Sequence, residues 1–522
     1  MGISQELLEE HTQPVLKNRY SVLIPLCAAG IIIPIVFTGP AIATPMIARD
    51  LGGSLLELGG VVNAYNVAFG SCVMAGGALA DRFGRKRCFI SGLLLFFLTS
   101  LLIGLAPSIT FLNVFRGIEG IAGALTLTSA SALIAQEFDD HLRLKAFSFL
   151  GTSFGIGLAF GPMLVGVLIA HLGWRALFFG IALASLLVFV FSFQKVNESR
   201  DPNAKRIDWW GIALFTLALG ALILGIVSGP EKGWGHASVV ALLAGSGVLL
   251  LLFILVELKS REAMLDLSLF RFPRFVGVQL LPISTGFCFV ALLVFLPIWF
   301  IGIQGYDETE VGLAILPLTA PMLIVPFLAG SLSRHIAPGY LCGAGLLLAA
   351  LGHCWLALTL TPGASIWSIV LPMLLIGIGS GLPWGLMDGL SMSVVPKERA
   401  GMAAGIFTTM RVAGEAVAIA IIGALLVGYT ASGLRQLAAE SPLLSPSQTS
   451  DWAGRIASGQ LNSVLEQAAS PDEGVLGQLL ATVYQQSFSA VLVLIAVLTA
   501  VCAVLCVLTV KVDSTGGAPV KN

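Results

Sequence analysis

Charged residues are scarce in this chain: Asp, Glu, Lys and Arg together make up 11% of its 522 residues. Soluble proteins carry roughly 25% charged residues, so most of this chain cannot face water. The 28 Lys and Arg residues are balanced by 29 Asp and Glu residues, and no basic tract with interleaved aromatic residues is present. The composition therefore argues against a soluble multidomain protein and against a nucleic-acid partner.

Metal-binding and catalytic patterns are also missing. The eight cysteines lie in or beside apolar runs and form no CxxC pair; Cys502 and Cys506 share a helix face, but two sulfur ligands do not complete a metal site. We find no HExxH motif and no GxxxxGK[ST] loop, which argues against a zinc hydrolase and an ATP-driven pump. A GxSxG string at Gly151 lies within an apolar run, without the strand-turn-helix context of a hydrolase. We expect no metal, no cofactor and no enzymatic activity.

Long apolar runs fill most of the chain. Each is long enough to cross the hydrocarbon core of a bilayer as a helix. Short turns around the fourth to sixth runs leave a count of 13 or 15 open. The first 20 residues are polar and lack a signal-peptide pattern, so the first run should remain as a span. The runs lie at about 21–44, 56–80, 88–106, 109–136, 145–171, 174–193, 208–229, 237–257, 274–303, 309–331, 339–361, 365–394, 400–429 and 483–511.

The placement of basic residues predicts the orientation. If the N-terminus is inside, most of the 28 Lys and Arg residues lie in cytoplasmic segments. Cytoplasmic loops of membrane proteins carry such an excess, so we expect both termini in the cytoplasm. The localisation predicted is a cell membrane, and specifically a bacterial inner membrane. The external loops hold Arg49, Arg175, Lys232, Arg435 and Arg455.

Two polar stretches, 195–207 and 258–273, divide the runs into six, two and six. Transporters are commonly built from two six-span halves with the substrate site between them. We therefore predict an N-terminal six-helix bundle over 1–193, a linker with two extra spans over 194–273, and a C-terminal six-helix bundle over 274–522. The middle pair has few polar residues and should face lipid.

The second bundle should include an external loop over 430–482. Within it, residues 451–468 have apolar residues at helical spacing, which predicts an amphipathic helix. The segment is either a solvated loop with short surface helices or a cap that shapes the outer exit.

A glycine-rich, basic string, GALADRFGRKR at 77–87, stands between the second and third runs. We expect Gly77 to permit close helix packing, Gly84 to permit a tight turn, and Asp81 to pair with Arg85. A simple basic anchor would explain the charges but not this Gly/Asp/Gly spacing. The string resembles the signature loop of the major facilitator superfamily. The resemblance implies a conformational switch formed by Gly77, Asp81, Arg82, Gly84, Arg85 and Lys86, which engages the helix that starts near Ala400. The counterpart in the second half, 330–335, is degenerate.

The fifth run contains GIGLAFGPMLVG at 155–166. Its small residues predict a smooth face for helix packing, and its proline a kink. The string also resembles the motif of proton-coupled antiporters in the same superfamily, with Gly157, Gly161, Pro162 and Gly166 at its positions. The strings GWR at 173–175 and GPEKGW at 229–234 resemble the 14-span drug:proton antiporter branch.

This resemblance covers nearly the whole chain. It implies an all-α polytopic membrane protein with the major facilitator fold, in which two six-helix bundles and two inserted linker helices give 14 spans. Such a protein is a secondary active transporter that works by alternating access. Its partners would be a small amphipathic substrate, protons and the lipid bilayer, and we expect a monomer.

Ionisable residues within the runs are costly in hydrocarbon and are therefore candidates for function. Arg116 and Glu119 match the superfamily motif in which an Arg assists proton transfer, although the superfamily usually has Gln where this chain has Glu119. They form either a structural ion pair or a site that changes its protonation. Arg411 and Glu415 are four residues apart, so mutual neutralisation is favoured over a switchable contact between the halves.

The cavity-lining candidates are Asp388 and, one turn earlier, Trp384; the adjacent Pro383 suggests a bent helix. One candidate is missing. The 14-span branch usually has an acidic residue about nine positions before the proline that is Pro45 here, and this chain has Val36. Recognition of lipophilic dications through that acid is therefore not expected.

The predicted function is efflux of amphipathic small molecules or drugs in exchange for protons. The alternative is a dedicated exporter of an endogenous anionic or zwitterionic metabolite, a siderophore or a lipid. The absence of an acid at Val36 and the presence of Arg116 and Arg411 favour that alternative cargo.

Overall fold

The computed structural model describes residues 3–510, apart from 54, 139, 200–207, 261–264, 266, 396–399, 441–448 and 469–472. Within these residues it has 14 helical segments that are long and apolar enough to cross a membrane. This confirms the count of 14 and removes the alternatives of 13 and 15. Spans 1 to 14 are Ser21–Leu51, Glu57–Phe83, Arg85–Gly104, Ile109–Glu137, Phe149–Leu172, Trp174–Lys195, Trp209–Pro230, Ala237–Lys259, Pro273–Gly302, Glu308–Leu332, Pro338–Thr359, Ile366–Ser391, Ile406–Glu440 and Gly474–Thr509.

Several helices continue beyond the span that they contain, because hydropathy ends before backbone hydrogen bonding does. The helices of spans 1, 2, 5, 7, 13 and 14 run over Ile3–Leu51, Leu55–Phe83, Asp140–Leu172, Trp209–Lys232, Ala400–Glu440 and Glu473–Thr509. With an even number of spans, both chain ends lie on one side of the bilayer. We call the side that holds the start of span 1 the terminal face, and the side that holds the end of span 13 the loop face.

Three spans are broken near their middle or end. Span 9 changes from an α-helix to a π-helical turn over Gly286–Val290, and span 10 contains a 3₁₀ turn over Ala320–Leu323. The first helix of span 12 ends at Trp384, and a second begins at Met387. Prolines within these spans remove backbone donors and favour such breaks. The expected bend beside Pro383 is confirmed.

Large apolar side chains remain exposed on the outer surface of the helices. Leu187 in span 6, Leu251 in span 8 and Leu508 in span 14 each have more than half of their surface exposed. In water such a surface would be unfavourable, whereas in hydrocarbon it matches its surroundings, and the helices satisfy their own backbone groups. The fold is that of an all-α, multi-pass membrane protein.

The helices group into two bundles. In the first half, span 2 packs on span 4, span 1 on span 5, and span 3 on spans 4 and 6. In the second half, span 11 packs on spans 12 and 14, and span 10 on span 12. The halves meet where span 2 crosses span 13, where span 5 lies along span 10, and where span 1 meets span 9. The predicted bounds of the bundles, 1–193 and 274–522, stay a prediction.

The middle pair is less uniform than predicted. Span 8 exposes most of its side chains, as expected for a lipid-facing helix. Span 7 instead packs between the halves: its Leu219 and Ile223 contact Ala416 and Ala420 of span 13, and its Thr216 donates a hydrogen bond to the Ser71 carbonyl of span 2 at 2.9 Å. Spans 7 and 8 are both strongly apolar, with mean hydropathies of 2.3 and 2.9. Hydropathy alone therefore could not show that only span 7 packs between the halves.

Glycines of span 5 bring two other helices into close contact. A Cβ atom at Gly157 would lie 2.4 Å from the Ile31 carbonyl oxygen of span 1, and one at Gly166 would lie 2.0 Å from the Glu308 carbonyl oxygen of span 10. Gly161 faces Ile35 of span 1. The predicted smooth face therefore exists, and it serves both the first bundle and the contact between the halves.

Helices extend into both ends of the predicted external loop over 430–482. The helix of span 13 reaches Glu440, and that of span 14 begins at Glu473. Residues 431–440 are rich in Ala and Leu, which favour a helix, and they continue span 13 beyond the apolar run that was expected to end at 429. Between them lie the loop helix, Thr449–Ala457, and a second short helix, Leu461–Ala468.

The loop helix is amphipathic and packs against the protein. Its Trp452, Ala453 and Ile456 are buried. The single helix expected over 451–468 is interrupted at Gly459, whose φ of 80° lies in the left-handed region. The burial of one whole face favours a cap on the loop face over a solvated segment.

We expect Gly157→Ala to destabilise the fold, because its added methyl group would collide with the backbone of span 1. The matched control is Gly151→Ala in the same helix, where nothing lies within 4 Å of the added atom. Both variants gain the same helix propensity, about 0.5–1 kcal/mol. Thermal unfolding in detergent should therefore show a lower melting temperature for Gly157→Ala alone, and equal melting temperatures would contradict the contact.

Candidate functional site

A small central cavity lies between the two halves. Spans 1, 2 and 5 contribute Ile33, Phe37, Phe69, Phe154 and Leu158, and spans 9, 12 and 13 contribute Val290, Trp384 and Glu415. Its volume is about 10 Å³, which is close to the space that one water molecule needs. In this conformation the cavity can hold a water molecule but no drug-sized substrate.

Glu415 is the ionisable residue of this lining. The residue is 6% exposed, and its Oε1 atom has no hydrogen-bond partner. Its backbone lies where span 13 crosses the π-helical turn of span 9: a Cβ atom on Gly286 would lie 3.2 Å from the Glu415 Cα. A π-helical turn often marks a functional position, and a carboxylate without a partner is costly in hydrocarbon.

The predicted neutralisation of Glu415 by Arg411 is not found. The Nη1 atom of Arg411 instead lies 3.5 Å from Oδ1 of Asp388 in span 12, and the guanidinium lies 5.9 Å from the ring centroid of Phe154. Spacing of four residues places two side chains on one helix face but does not choose between a partner on that face and one on the next helix.

Asp388 lies outside the central cavity. Its side chain is 49% exposed, against 14% for that of Arg411. The ion pair that they form lies one helical turn nearer the terminal face than Glu415, and it links the broken end of span 12 to span 13. Asp388 is thus a partly solvated residue at the cavity's terminal side, rather than part of its lining.

The helix break in span 12 positions Trp384. Gly385 follows it, and a Cβ atom there would lie 2.3 Å from the Pro326 carbonyl oxygen of span 10. The Trp384 ring stacks on Phe154 with the centroids 6.4 Å apart, and it meets Phe289 edge-on at 6.1 Å. The predicted cavity-lining role of Trp384 agrees with this geometry, and the aromatic rings close the cavity from both halves.

Arg116 and Glu119 form a separate cluster inside the first half. Both side chains are 0% exposed, and Nη1 of Arg116 lies 2.6 Å from Oε2 of Glu119. The other carboxylate oxygen accepts a hydrogen bond from Ser100 in span 3. Both oxygens of Glu119 therefore have partners, in contrast to Glu415.

Arg116 also contacts two other spans, span 1 and span 2. It donates hydrogen bonds to the carbonyl oxygens of Val61 at 2.8 Å and Val36 at 3.3 Å, and its guanidinium lies 4.6 Å from the ring centroid of Tyr65. Tyr65 stacks in turn on Phe69, which lines the central cavity. The cluster thus reaches the cavity through two aromatic rings. The position where the 14-span branch has an acid, Val36, is fully buried and contributes its backbone.

The signature loop forms the local ion pair expected from its sequence. Arg85 donates to Oδ1 of Asp81 at 2.9 Å, and Gly84 has a φ of 114° that other residues rarely adopt. Lys86 donates from Nζ to the Phe193 carbonyl oxygen at 2.9 Å, while Arg82 is exposed. The expectation for Gly77 is wrong for this conformation, because open space lies beside it.

Its neighbour Gly76 makes the close contact instead, because a Cβ atom there would lie 2.7 Å from Oγ1 of Thr128 in span 4. Both glycines precede the same motif, and sequence could not show which one faces the neighbouring helix. The predicted partner of the loop near Ala400 lies next to residues 396–399, which are outside the described residues, and its side-chain contacts are not described.

Glu198 was missed by sequence reasoning. Its carboxylate accepts a hydrogen bond from the Lys86 backbone N–H at 3.3 Å and lies 3.5 Å from Nε of Arg87. A Cβ atom on Gly84 would collide with it at 2.6 Å. Because Glu198 follows span 6 within a polar stretch, its sequence context indicates only a linker. It caps the start of span 3 and links the signature loop to the segment that follows span 6.

The comparisons with known proteins place this arrangement in a family. The model of the Major Facilitator Superfamily matches residues 26–419. This range includes the signature loop, both charge clusters and the residues that line the central cavity. The chain belongs to the Major Facilitator Superfamily. It is therefore a transporter rather than an enzyme, and the resemblance inferred from its motifs is confirmed.

Relatives in the superfamily extend over most of the chain. The multidrug resistance protein Stp of Mycobacterium tuberculosis (strain CDC 1551 / Oshkosh) is 32% identical over 417 residues, 79% of this chain and 77% of that protein. The tetracenomycin C resistance and export protein of Streptomyces glaucescens is 29% identical over 415 residues, 79% of this chain and 77% of that protein. These matches agree with the 14-span drug:proton antiporter branch of the superfamily.

The fold also agrees with a solved structure. The crystal structure of a bacterial homologue of the human lysosomal transporter Spinster, in an inward-facing and occupied conformation, has a TM-score of 0.65 and 16% sequence identity. The match covers 94% of this chain and 97% of that chain. At this level of identity the likeness concerns the superfamily fold alone.

We expect Glu119→Gln to destabilise the protein, because it leaves the Arg116 charge buried without its counter-ion. Breaking a buried ion pair in this way costs about 3–5 kcal/mol. The matched control is Glu415→Gln, which removes a buried carboxylate without a hydrogen-bonding cation. Chemical unfolding in detergent should show a much larger loss of stability for Glu119→Gln, and similar losses for both variants would contradict the structural role of the pair.

Proposed function

We propose that this chain exports amphipathic small molecules across a cell membrane in exchange for protons. The observation that carries the proposal is Glu415, a carboxylate without a hydrogen-bond partner on one of its oxygens, in the cavity between the two halves. The names of the relatives, a multidrug resistance protein and a resistance and export protein, support the same function. Superfamily membership supports alternating access as the route.

The geometry suggests how proton and substrate could exchange. On the loop face, span 5 is locked against span 10 where Gly166 meets Glu308 and where Gly312 meets Met163. Separation of spans 5 and 10 would expose the central cavity to the loop face. When these spans are in contact, access would be from the terminal face, where Asp388 is half exposed. Glu415 lies between the two routes and would take up a proton on one side and release it on the other.

Proton movement supplies enough energy for this work. One charge that moves through 100 mV provides about 2.3 kcal/mol, which corresponds to roughly a 40-fold concentration ratio at 1.4 kcal/mol per factor of ten. The wall of the cavity can couple the two events, because Glu415 and the aromatic side chains that would contact substrate share one small space. Proton binding and substrate binding would therefore compete.

The proposed substrate has an aromatic or other apolar part. Phe37, Phe69, Phe154 and Trp384 line the central cavity, and stacking on such rings adds to the gain from apolar burial. Arg411, beside Phe154, supports the second candidate, a dedicated exporter of an anionic or zwitterionic metabolite, siderophore or lipid. A guanidinium at that position can bind a carboxylate once the Asp388 contact opens.

We also propose the orientation and the location. The termini would lie in the cytoplasm, in line with the excess of basic residues on that side, so the loop face would be external. The relatives reported above are bacterial, which supports a bacterial inner membrane. The chain contains both halves of the cavity, so a monomer would suffice for transport.

We expect Glu415→Gln to uncouple transport from the proton gradient. In proteoliposomes loaded with a lipophilic dye, an opposing proton gradient should accelerate dye movement by the unmodified protein and leave the Glu415→Gln variant unchanged. Exchange of dye for dye without a gradient should persist in the variant, because its cavity keeps nearly the same shape. Gradient-stimulated transport equal to that of the unmodified protein would remove Glu415 from the coupling mechanism.

A panel of dyes and metabolites should separate the two substrate classes. If the chain is an exporter of amphipathic drugs, several unrelated lipophilic compounds should move in the same vesicles, and neutral or weakly cationic ones should suffice. Arg411→Lys should then have little effect, since a lysine keeps the charge near Asp388. Transport of a single anionic metabolite, failure of every other compound, and loss of that transport in Arg411→Lys would favour the dedicated exporter.

A further inference from the structure

A second, larger space lies between the central cavity and the loop face. Along span 13 it begins at Ile419, one helical turn beyond Glu415, and extends to Val427. Spans 1, 2, 7 and 9 contribute further walls, and the loop helix and Ser458 line it on the side of the loop face. Its volume is about 140 Å³. We call it the loop-face cavity.

The chemistry of its walls differs from that of the central cavity. None of the residues that line it is ionisable. Two of its three polar side chains already donate to their own helices: Thr44 to the Pro40 carbonyl at 2.8 Å, and Ser458 to the Gly454 carbonyl at 2.9 Å. Asn63 contributes the remaining polar side chain. A charged ligand would find no counter-ion in this lining, whereas an apolar group would be well accommodated.

The volume of the loop-face cavity limits the size of the ligand that it can hold. A cavity of about 150 Å³ lined by aliphatic and aromatic side chains holds a benzene molecule and stays free of water. The loop-face cavity has nearly this volume and a mostly apolar lining, with Phe295, Ile298, Ile419 and Val427 among its walls. One unsubstituted or lightly substituted aromatic ring therefore matches it, either as a small molecule or as the end group of a larger one.

The walls come from parts of the chain that must move apart during transport. Val62 belongs to the first half, Phe295 to the second, and Ala457 to the loop helix. The loop helix is held down at its end, where a Cβ atom on Gly302 would lie 2.6 Å from the Gly459 Cα, and by its buried Trp452. The cavity is therefore complete only while the loop face is closed.

We propose that the loop-face cavity is a binding site for one uncharged aromatic ring, distinct from the central site around Glu415. A ligand that binds one conformation better than another shifts the population towards it. A ring bound here would hold the halves and the loop helix together and would retard opening of the loop face. The inference rests on the shape and lining of the cavity and is independent of the direction of transport and of proton coupling.

The test is carbene labelling of the purified protein in lipid nanodiscs with 3-trifluoromethyl-3-phenyldiazirine, an uncharged phenyl compound, followed by peptide mass spectrometry. We expect label within 454–458 of the loop helix and within 419–427 of span 13. Excess toluene should suppress this label, because a cavity saturates, and should leave the label on lipid-facing residues of span 8 in place. No proton gradient is needed, so the result is separable from that of the transport assays.

The matched variants are Ala424→Leu, which fills the cavity from span 13, and Ala244→Leu, which adds the same atoms to the exposed surface of span 8. Ala424→Leu should lower the label at 454–458 by about tenfold, which is the effect of 1.4 kcal/mol on a binding constant. Ala244→Leu should leave it unchanged.

Three outcomes would overturn the proposal: no label at 454–458, a label there that toluene does not suppress, or equal labelling of the two variants. If Ala424→Leu fails to fold, the toluene competition on the unmodified protein decides the question alone.

Discussion

The cost of a charge in hydrocarbon governs the arrangement of the polar residues in this transporter. A carboxylate there must have partners or lose its charge to a proton, and two of the buried glutamates, Glu119 and Glu415, illustrate the two solutions. Glu119 has Arg116 on one oxygen and Ser100 on the other. Glu415 has no partner on Oε1. The first arrangement holds four spans of one bundle together, and the second leaves a site that only a proton or a ligand can satisfy.

Close helix packing at glycines is the second constraint, because it determines which pairs of helices can bring their backbones into contact. Gly157 brings spans 1 and 5 together within one bundle, while Gly166 brings span 5 against span 10 across the boundary. Backbone-to-backbone contacts of this kind have little side-chain entropy to lose. The same helix can therefore serve as a fixed element of its own bundle and as a separable contact with the other one.

The sequence predicted the fold well, because hydropathy reports on the bilayer itself and the motifs resemble those of one superfamily. It predicted the 14 spans, the Asp81–Arg85 pair, the Arg116–Glu119 pair and the bend at Pro383. Contacts between distant helices were the part that it could not supply. Arg411 pairs with Asp388 and not with Glu415, since spacing along one helix says nothing about the neighbouring helix. The packing of the loop helix was left open and the role of Glu198 was missed for the same reason, as both depend on which surface a polar segment meets.

The order of environments along span 13 has a consequence for the direction of movement. From the terminal face towards the loop face, span 13 presents first Arg411, paired with Asp388 of span 12, then Glu415 among aromatic rings, and then the uncharged loop-face cavity. A substrate that has lost its contact with Glu415 to a proton gains no new charged contact in the next space, so its binding there depends on apolar burial alone. Affinity would thus fall stepwise towards the loop face, and the helix breaks in spans 9, 10 and 12 lie at the level where the first of these steps occurs.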